Sequence, residues 1–153
     1  MDKKMSVMGA GHKIAAVVVL YLALAEGISL LASPVFRITE QAYSTLLVTG
    51  IILAVTGFSL NLAAAAQMLK AHKAGCLATG GFYGIFLNPM YTLQVFITLP
   101  GLMLLFNSWL VMAAVIAAYV ACRIFVREEE QYLESRFGDQ YREYRRNVPV
   151  KFL

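Results

Sequence analysis

Four long apolar stretches are the feature that most constrains the fold of this chain. They cover residues 14–36, 42–69, 89–106 and 109–126. A helix needs about 20 mostly apolar residues to cross a bilayer, and it satisfies its own backbone hydrogen bonds there. With 59% apolar residues, the sequence predicts one all-α membrane domain over residues 1–153. We expect four transmembrane helices and then an amphipathic helical segment in the cytosol, residues 127–153.

The positions of the basic residues predict the orientation of this bundle. They are Lys3, Lys4 and Lys13 before the first stretch, Lys70 and Lys73 after the second, and seven residues from Arg123 onward. The first outer loop has only Arg37 and the last has none. Under the positive-inside rule both termini are cytoplasmic, in a bacterial inner membrane or an endoplasmic reticulum. The net charge of +4 therefore favours anionic lipid over nucleic acid as the partner.

The first apolar stretch has two interpretations, because three lysines precede it as in a signal peptide. A retained span is preferred, since the stretch is long and lacks a small-x-small cleavage pattern. It also contains Glu26, and a carboxylate inside a membrane costs about 2.5–3.5 kcal/mol. Glu26 is thus expected to face the bundle interior as a structural residue. The alternative is that it forms a polar wall of a substrate-binding cleft.

Other residues with reactive side chains carry little functional signal. Cys76 and Cys122 lie far apart, one in a predicted loop and one in a predicted span, so they indicate neither a disulfide nor a metal site. His72 is either a proton acceptor or a polar loop residue; a lone exposed histidine is usually the latter, and no role is assigned to it. The glycine-rich stretch TGGFYG follows no predicted strand and matches no dinucleotide or P-loop fingerprint. A soluble Rossmann-type enzyme is excluded.

Two polar motifs are expected to meet at one membrane face. Asn88-Pro89 is a good N-cap followed by a good first helical residue, although alone it is an ordinary helix start. The last span is followed by a charged segment in which Glu129, Leu133 and Phe137 share one helical face. We expect the helix to continue through Arg136 and to stop at Gly138, and a second short helix to carry Tyr141 and Tyr144. Asn107-Ser108 predicts a tight turn between the third and fourth spans. The resulting hairpin returns Glu129 to the face where Asn88 lies.

The order and spacing of these motifs carry a family resemblance. Asn88-Pro89-Met90-Tyr91 is followed about forty residues later by Glu129-Glu130, and then by Phe137-Gly138, Tyr141, Tyr144 and Val148-Pro149. Over residues 79–149 this pattern resembles the isoprenylcysteine carboxyl methyltransferase and phospholipid methyltransferase group of integral-membrane enzymes. The resemblance implies an S-adenosylmethionine-dependent methyltransferase acting on a lipidic or isoprenoid acceptor through a carboxyl, thiol or amine group. The cofactor-binding residues it implies are Tyr83, Asn88, Pro89, Met90, Tyr91, Glu129 and Glu130.

The chemistry of this cofactor suggests hypothetical roles for these residues, and no catalytic residue is assigned. Glu129 or Glu130 would hold the cofactor's ammonium group or ribose hydroxyls, and tyrosine rings would face its sulfonium. Its carboxylate would meet the N-terminus of the third span. The chain departs from the family where arginines are common, at Gly84, Leu87 and Val150, and has Phe82 where proline is usual. The residues considered as replacements for these arginines are Arg123, Arg127 and Lys73.

Two other classes of function fit the same scaffold. One is a non-catalytic membrane scaffold or lipid-binding protein, for which the two motifs would be dispensable. The other is a nicotinamide-dependent reductase, for which activity would depend on a reductant. Neither accounts for Asn88-Pro89 together with Glu129-Glu130 as well as a methyltransferase does.

Overall fold

The computed structural model describes residues 11–32 and 35–151, so Lys3 and Lys4 lie outside the described residues. Within these ranges the protein is helical and forms no strand, only two isolated bridges. The helices are α1 (Gly11–Leu31), α2 (Tyr43–Lys73), α3 (Phe82–Ile85), α4 (Pro89–Leu105), α5 (Trp109–Phe137) and α6 (Asp139–Asn147). The predicted all-α class is confirmed for the described residues.

Three of these helices, α1, α2 and α5, are long and apolar enough to cross a membrane. The third predicted span, residues 89–106, corresponds to α4, which is shorter. At 1.5 Å per residue α4 extends about 25 Å, which is less than the ~30 Å of a typical hydrocarbon core. Three of the four predicted spans therefore have the length and composition of a membrane helix, and a fourth crossing stays a prediction.

One predicted boundary is wrong. The first span was expected to reach residue 36, but α1 ends at Leu31, and the backbone from Phe36 instead pairs with the turn between α4 and α5. Trp109 N–H donates to Phe36 O at 3.0 Å, and Ile38 N–H donates to Asn107 O at 3.1 Å. Phe36 and Ile38 have apolar side chains, but their backbone groups form hydrogen bonds with the turn between α4 and α5. The fourth span was expected to end near residue 126 with its helix continuing beyond it, and α5 does run on to Phe137, with one irregular turn at Ala113.

The charged residues after Val126 lie in the second half of α5 and in α6, and their amphipathic, cytosolic character stays a prediction. The charged second half of α5 ends at Gly138, whose φ of 53° lies in the region that favours glycine. α6 follows at once and carries Tyr141 and Tyr144. The two cysteines are unpaired, Cys122 buried within α5 and Cys76 exposed after α2. His72 lies in the last turn of α2 and not in a loop.

The helix α4 contains a widened π turn at Gln94–Thr98. The sequence predicts an irregularity at Pro100-Gly101, and the structure has it just before that pair. Pro100 has no N–H to donate, and its ring crowds the carbonyl group one turn earlier. A π turn relieves this crowding, because it moves the hydrogen-bond register by one residue.

Close helix packing at glycines holds α2 against α4, as the glycine spacing in the sequence predicts. A Cβ atom on Gly57 would lie 2.6 Å from Thr98 Oγ1 and 2.8 Å from Thr98 N. A Cβ on Gly101 would overlap the α2 backbone at Leu53 and Ala54, and a Cβ on Gly50 would lie 2.8 Å from Gly101 O. On the other side of the α4–α5 hairpin, α1 packs along α5. The hairpin is thus flanked by α1 and α2.

This packing predicts opposite effects for two glycine substitutions. Gly57→Ala forces backbone atoms of α2 and α4 apart, and we expect it to lower the free energy of unfolding by about 1–3 kcal/mol. Gly27→Ala is the control, because a Cβ at Gly27 meets nothing within 4 Å. There the gain in helix propensity raises the free energy of unfolding by about 0.5–1 kcal/mol. Unfolding in detergent followed by circular dichroism measures both, and equal stabilisation by the two variants would contradict the packing described.

Candidate functional site

A cleft of about 480 Å³ lies where the start of α1, the end of α2, α3, the start of α4 and the charged half of α5 meet. We call it the Asn88 cleft. It is lined by six of the seven predicted cofactor-binding residues, namely Tyr83, Asn88, Pro89, Met90, Tyr91 and Glu129. The seventh, Glu130, reaches the site through its hydrogen bond to Asn88. The α4–α5 hairpin therefore brings the two motifs together, as the sequence predicts.

Asn88 connects the start of α4 to α5. It occupies the N-cap position with Pro89 as the first helical residue, but its side chain forms no capping hydrogen bond. The predicted cap is therefore incomplete, and the side chain is turned toward α5 instead: Asn88 Nδ2 donates to Glu130 Oε1 at 3.1 Å. The side chain of Glu130 is 12% exposed, and its other oxygen lies 3.4 Å from Arg145 Nη2. Asn88 thus fixes a carboxylate that also contacts α6.

Tyr91 makes the second connection between the motifs. Its hydroxyl donates to Glu129 Oε2 at 2.8 Å. Consecutive residues of a helix point about 100° apart, so Glu129 and Glu130 face different partners although they are neighbours in sequence. Glu129 turns to the cleft, whereas Glu130 turns toward Asn88 and α6. A carboxylate can accept about four hydrogen bonds, and one of those to Glu129 comes from Tyr91.

Two further tyrosines give the cleft neutral phenol groups. Burial raises the pKa of Tyr83 above its ordinary value, and the nearby Glu129 carboxylate raises it further. Burial raises the pKa of Tyr144 to about 12. Tyr144 OH lies 3.4 Å from the carbonyl oxygens of Phe86 and Leu87. At neutral pH both phenols keep their protons, so their rings stay uncharged beside Glu129.

The structure gives a physical account of two of the departures from the family pattern. Leu87 N–H donates to Val150 O at 2.9 Å, and Val150 N–H donates to Ile85 O at 3.0 Å. The side chain of Leu87 is buried together with Tyr141, Tyr144 and Val148. Apolar contacts and backbone hydrogen bonds therefore anchor the chain after α6 beside Asn88. Gly84 is exposed and lies in α3, the short helix just before Leu87.

Several residues that the sequence analysis did not select also line the Asn88 cleft, among them His12, Ala15, Met68, His72, Arg136 and Tyr144. Arg136 lies seven residues after Glu129, so helical periodicity on α5 could have found it. Tyr144 is part of the family pattern but was given no role. The approach of α1 and α2, which contribute His12 and His72, has no signal in the sequence.

Four residues that the sequence singled out are not in the lining of this cleft: Lys73, Arg123, Arg127 and Glu26. Arg123 and Arg127 line a separate polar pocket of about 440 Å³ with Glu130 and Arg145. They lie on another face of α5, so the structure does not bring them to the Asn88 cleft as replacements for the missing arginines. Glu26 lines a third pocket near the turn between α4 and α5. Its predicted role as a wall of the substrate cleft gains no support from this position.

Comparison with known families identifies the group to which these motifs belong. The family model for phospholipid methyltransferases matches residues 42–140, which is more than half of the chain. The match extends from the start of α2 into α6, so it contains all seven predicted cofactor-binding residues. No curated protein and no solved structure matches the sequence. With its three long apolar helices, the chain is an integral membrane protein that belongs to the phospholipid methyltransferase family.

Proposed function

We propose that this protein is an S-adenosylmethionine-dependent methyltransferase whose cofactor binds in the Asn88 cleft. The observation that carries this proposal is the pair of hydrogen bonds from Asn88 to Glu130 and from Tyr91 to Glu129. They join two motifs about forty residues apart at one cleft, within the region that matches the family. Neither motif alone would specify a cofactor site.

The chemistry of the cleft supports this cofactor. Its volume of about 480 Å³ falls within the 300–1,000 Å³ range of small-molecule sites. Glu129 can accept hydrogen bonds from an ammonium group or from ribose hydroxyls. Arg136 offers a guanidinium group to a carboxylate, which is the function that the family's arginines would otherwise serve. Tyr83 and Tyr91 present aromatic faces, which attract a sulfonium cation.

The protein's part in methyl transfer would be positioning. Bound S-adenosylmethionine supplies an activated methyl group, and in-line displacement gains most from reactants held in the correct geometry. Asn88 and Tyr91 would act as positioning residues, because they fix the two carboxylates of α5. The cluster around Leu87 and Tyr144 would keep the α3–α4 connection in place. No residue of this chain is required to form a covalent intermediate.

The apolar side of the cleft supports a lipidic acceptor. The ends of α1 and α2 contribute Ala15, Ala65, Met68 and Leu69 to its lining. These helices are two of the membrane spans, so an acceptor with a lipid tail could enter from the bilayer. A carboxylate or thiolate acceptor needs no base, whereas an amine must lose a proton. His12 and His72 line the cleft, and they would be the candidates for accepting that proton.

The proposed orientation places the Asn88 cleft at the cytosolic interface, with both termini cytoplasmic. In this arrangement α4 completes a fourth crossing as part of the α4–α5 hairpin. A short apolar helix can cross where the bilayer thins locally or where flanking polar groups reach toward the interface, at a modest free-energy cost. The charged second half of α5 would then project into the cytosol beside the site.

Cofactor binding is tested by calorimetric titration of S-adenosylhomocysteine into purified protein in lipid nanodiscs. We expect Glu129→Gln and Asn88→Ala each to weaken binding about tenfold or more, since hydrogen bonds to charged groups contribute roughly 1.5–3 kcal/mol. Glu128→Gln is the matched control, because the neighbouring Glu128 is exposed and pairs with Lys13 at 2.6 Å. No binding by the folded wild-type protein would overturn the proposal and favour a lipid-binding scaffold.

A pair of variants separates the contribution of the Tyr91 ring from that of its hydroxyl group. Tyr91→Phe keeps the aromatic ring and removes the hydrogen bond to Glu129, whereas Tyr91→Leu removes both. Transfer of labelled methyl groups from S-adenosylmethionine into a lipid extract measures the effect. We expect Tyr91→Phe to lose about tenfold in rate and Tyr91→Leu to lose more, because a cation over an aromatic face gains about 0.5–2 kcal/mol. Wild-type rates in both variants would exclude Tyr91 from the site.

A further inference from the structure

The polar pocket that contains Arg123 and Arg127 lies on another face of α5 from the Asn88 cleft. Its volume is about 440 Å³, and it is formed by the charged half of α5 together with α6. We call it the arginine pocket, because its lining includes three arginines and two carboxylates, namely Arg123, Arg127, Arg145, Glu130 and Glu134. Nothing in the proposed methyl transfer uses these arginines.

Two of these arginines have no acidic partner within residues 11–32 and 35–151. The side chains of Arg123 and Arg127 are exposed, and neither forms an ion pair or a hydrogen bond with a residue of those ranges. They lie four residues apart on α5, so they are neighbours on one helical face, where like charges repel. A group with several anionic oxygens would relieve this repulsion. Planar guanidinium donors match the geometry of a phosphate group.

Arg145 of α6 is the third cation of the pocket, and its contact with Glu130 is loose. Arg145 Nη2 lies 3.4 Å from Glu130 Oε2, which is longer than the roughly 2.7–2.9 Å of a charge-assisted hydrogen bond. The other carboxylate is held more tightly, because Glu134 Oε1 accepts from Arg142 Nε at 2.8 Å. An anion that enters the pocket would therefore meet two exposed guanidinium groups and a third that Glu130 binds weakly.

An exposed apolar stripe on α5 leads into the arginine pocket. Ile116 and Val120 are 67% and 48% exposed, and they precede Arg123 and Arg127 at the spacing of one helical face. Along the helix, Ile116 lies about 16 Å from Arg127, which is close to half of a ~30 Å hydrocarbon core. An acyl chain lying along this stripe would put its headgroup between the two arginines. A soluble anion would leave the stripe uncovered.

We propose that the arginine pocket binds the headgroup of an acidic lipid, one with a net negative charge, and that this headgroup competes with Glu130 for Arg145. Its anionic oxygens would accept hydrogen bonds from Arg123 and Arg127. A zwitterionic headgroup fits less well, because it also brings a cation to a pocket in which guanidinium groups outnumber carboxylates. The acidic lipid is a bound component on the outside of the bundle and not the methyl acceptor.

The test titrates two lipids into the full-length protein in detergent and follows the bound lipid by native mass spectrometry. Phosphatidylglycerol has an anionic headgroup, and phosphatidylcholine has a zwitterionic one. We expect phosphatidylglycerol to bind about tenfold or more tightly, because each basic residue near a membrane surface favours an anionic lipid by about fivefold. Equal affinities for the two lipids would overturn the proposal.

Two arginine variants locate this preference on the protein. Arg127→Gln should lower the affinity for phosphatidylglycerol about fivefold and leave that for phosphatidylcholine unchanged. The matched control is Arg146→Gln, because Arg146 is exposed on α6 but does not line the arginine pocket, and this variant should keep the full preference. A full preference in Arg127→Gln would overturn the site. Glycerol phosphate has the anionic group without acyl chains, and displacement of phosphatidylglycerol by it would overturn the assignment to a lipid.

The competition for Arg145 is tested by two glutamate variants that each remove one negative charge from the pocket. Glu130→Gln releases Arg145, whereas Glu134→Gln releases Arg142, which does not line the pocket. We expect Glu130→Gln to bind phosphatidylglycerol about threefold or more tightly than Glu134→Gln does. Equal affinities of the two variants would overturn the competition.

A further variant keeps the proposal testable if Glu130→Gln fails to fold. Arg145→Gln changes a side chain that is 52% exposed, and we expect it to lose about fivefold in affinity for phosphatidylglycerol. An unchanged affinity would exclude Arg145 from the site and overturn the competition. None of these titrations uses S-adenosylmethionine, so this proposal and the proposed function of the Asn88 cleft can fail separately.

Discussion

The hydrogen bonds between the start of α4 and the charged half of α5 are the interactions on which the site depends. Asn88 and Tyr91 lie on one side and Glu130 and Glu129 on the other, at 3.1 and 2.8 Å. These bonds can form because α4 and α5 are joined by a short turn at Asn107 and Ser108, so the two helices run back along each other. Without this turn, the two motifs, which are about forty residues apart in the sequence, would not be brought into contact.

The rest of the bundle supports this hairpin from both sides. α2 packs closely on α4 through Gly50, Gly57 and Gly101, which allow backbone contact where any side chain would intervene. α1 packs on α5, and the ends of α1 and α2 complete the Asn88 cleft. Leu87 and the tyrosines of α6 form a small apolar cluster beneath it. Chain segments that carry no motif therefore determine the shape of the cleft and its apolar side.

The sequence predicted the parts of this arrangement that depend on local pattern. Apolar length identified the helices, Gly138 marked the end of α5, and the hairpin placed Glu129 beside Asn88. The sequence did not predict that Asn88 would form a hydrogen bond to Glu130 and leave α4 without a side-chain cap, because the orientation of this side chain depends on a tertiary contact. It also did not place Arg136 or His12 in the cleft. The roles of Leu87 and Val150 became clear only from the pairing of the segment after α6 with the α3–α4 connection.

The central claim is that the cofactor lies between the two motifs. Photo-crosslinking of labelled S-adenosylmethionine to the protein, followed by mass spectrometry of its peptides, tests this claim most directly. We predict labelled peptides that contain Tyr83 to Tyr91 or Glu129 to Tyr144, with the labelling suppressed by excess S-adenosylhomocysteine. The claim would be contradicted if the labelling that excess S-adenosylhomocysteine suppresses lay elsewhere, for example beside Glu26. It would also be contradicted if the folded protein showed no labelling of this kind.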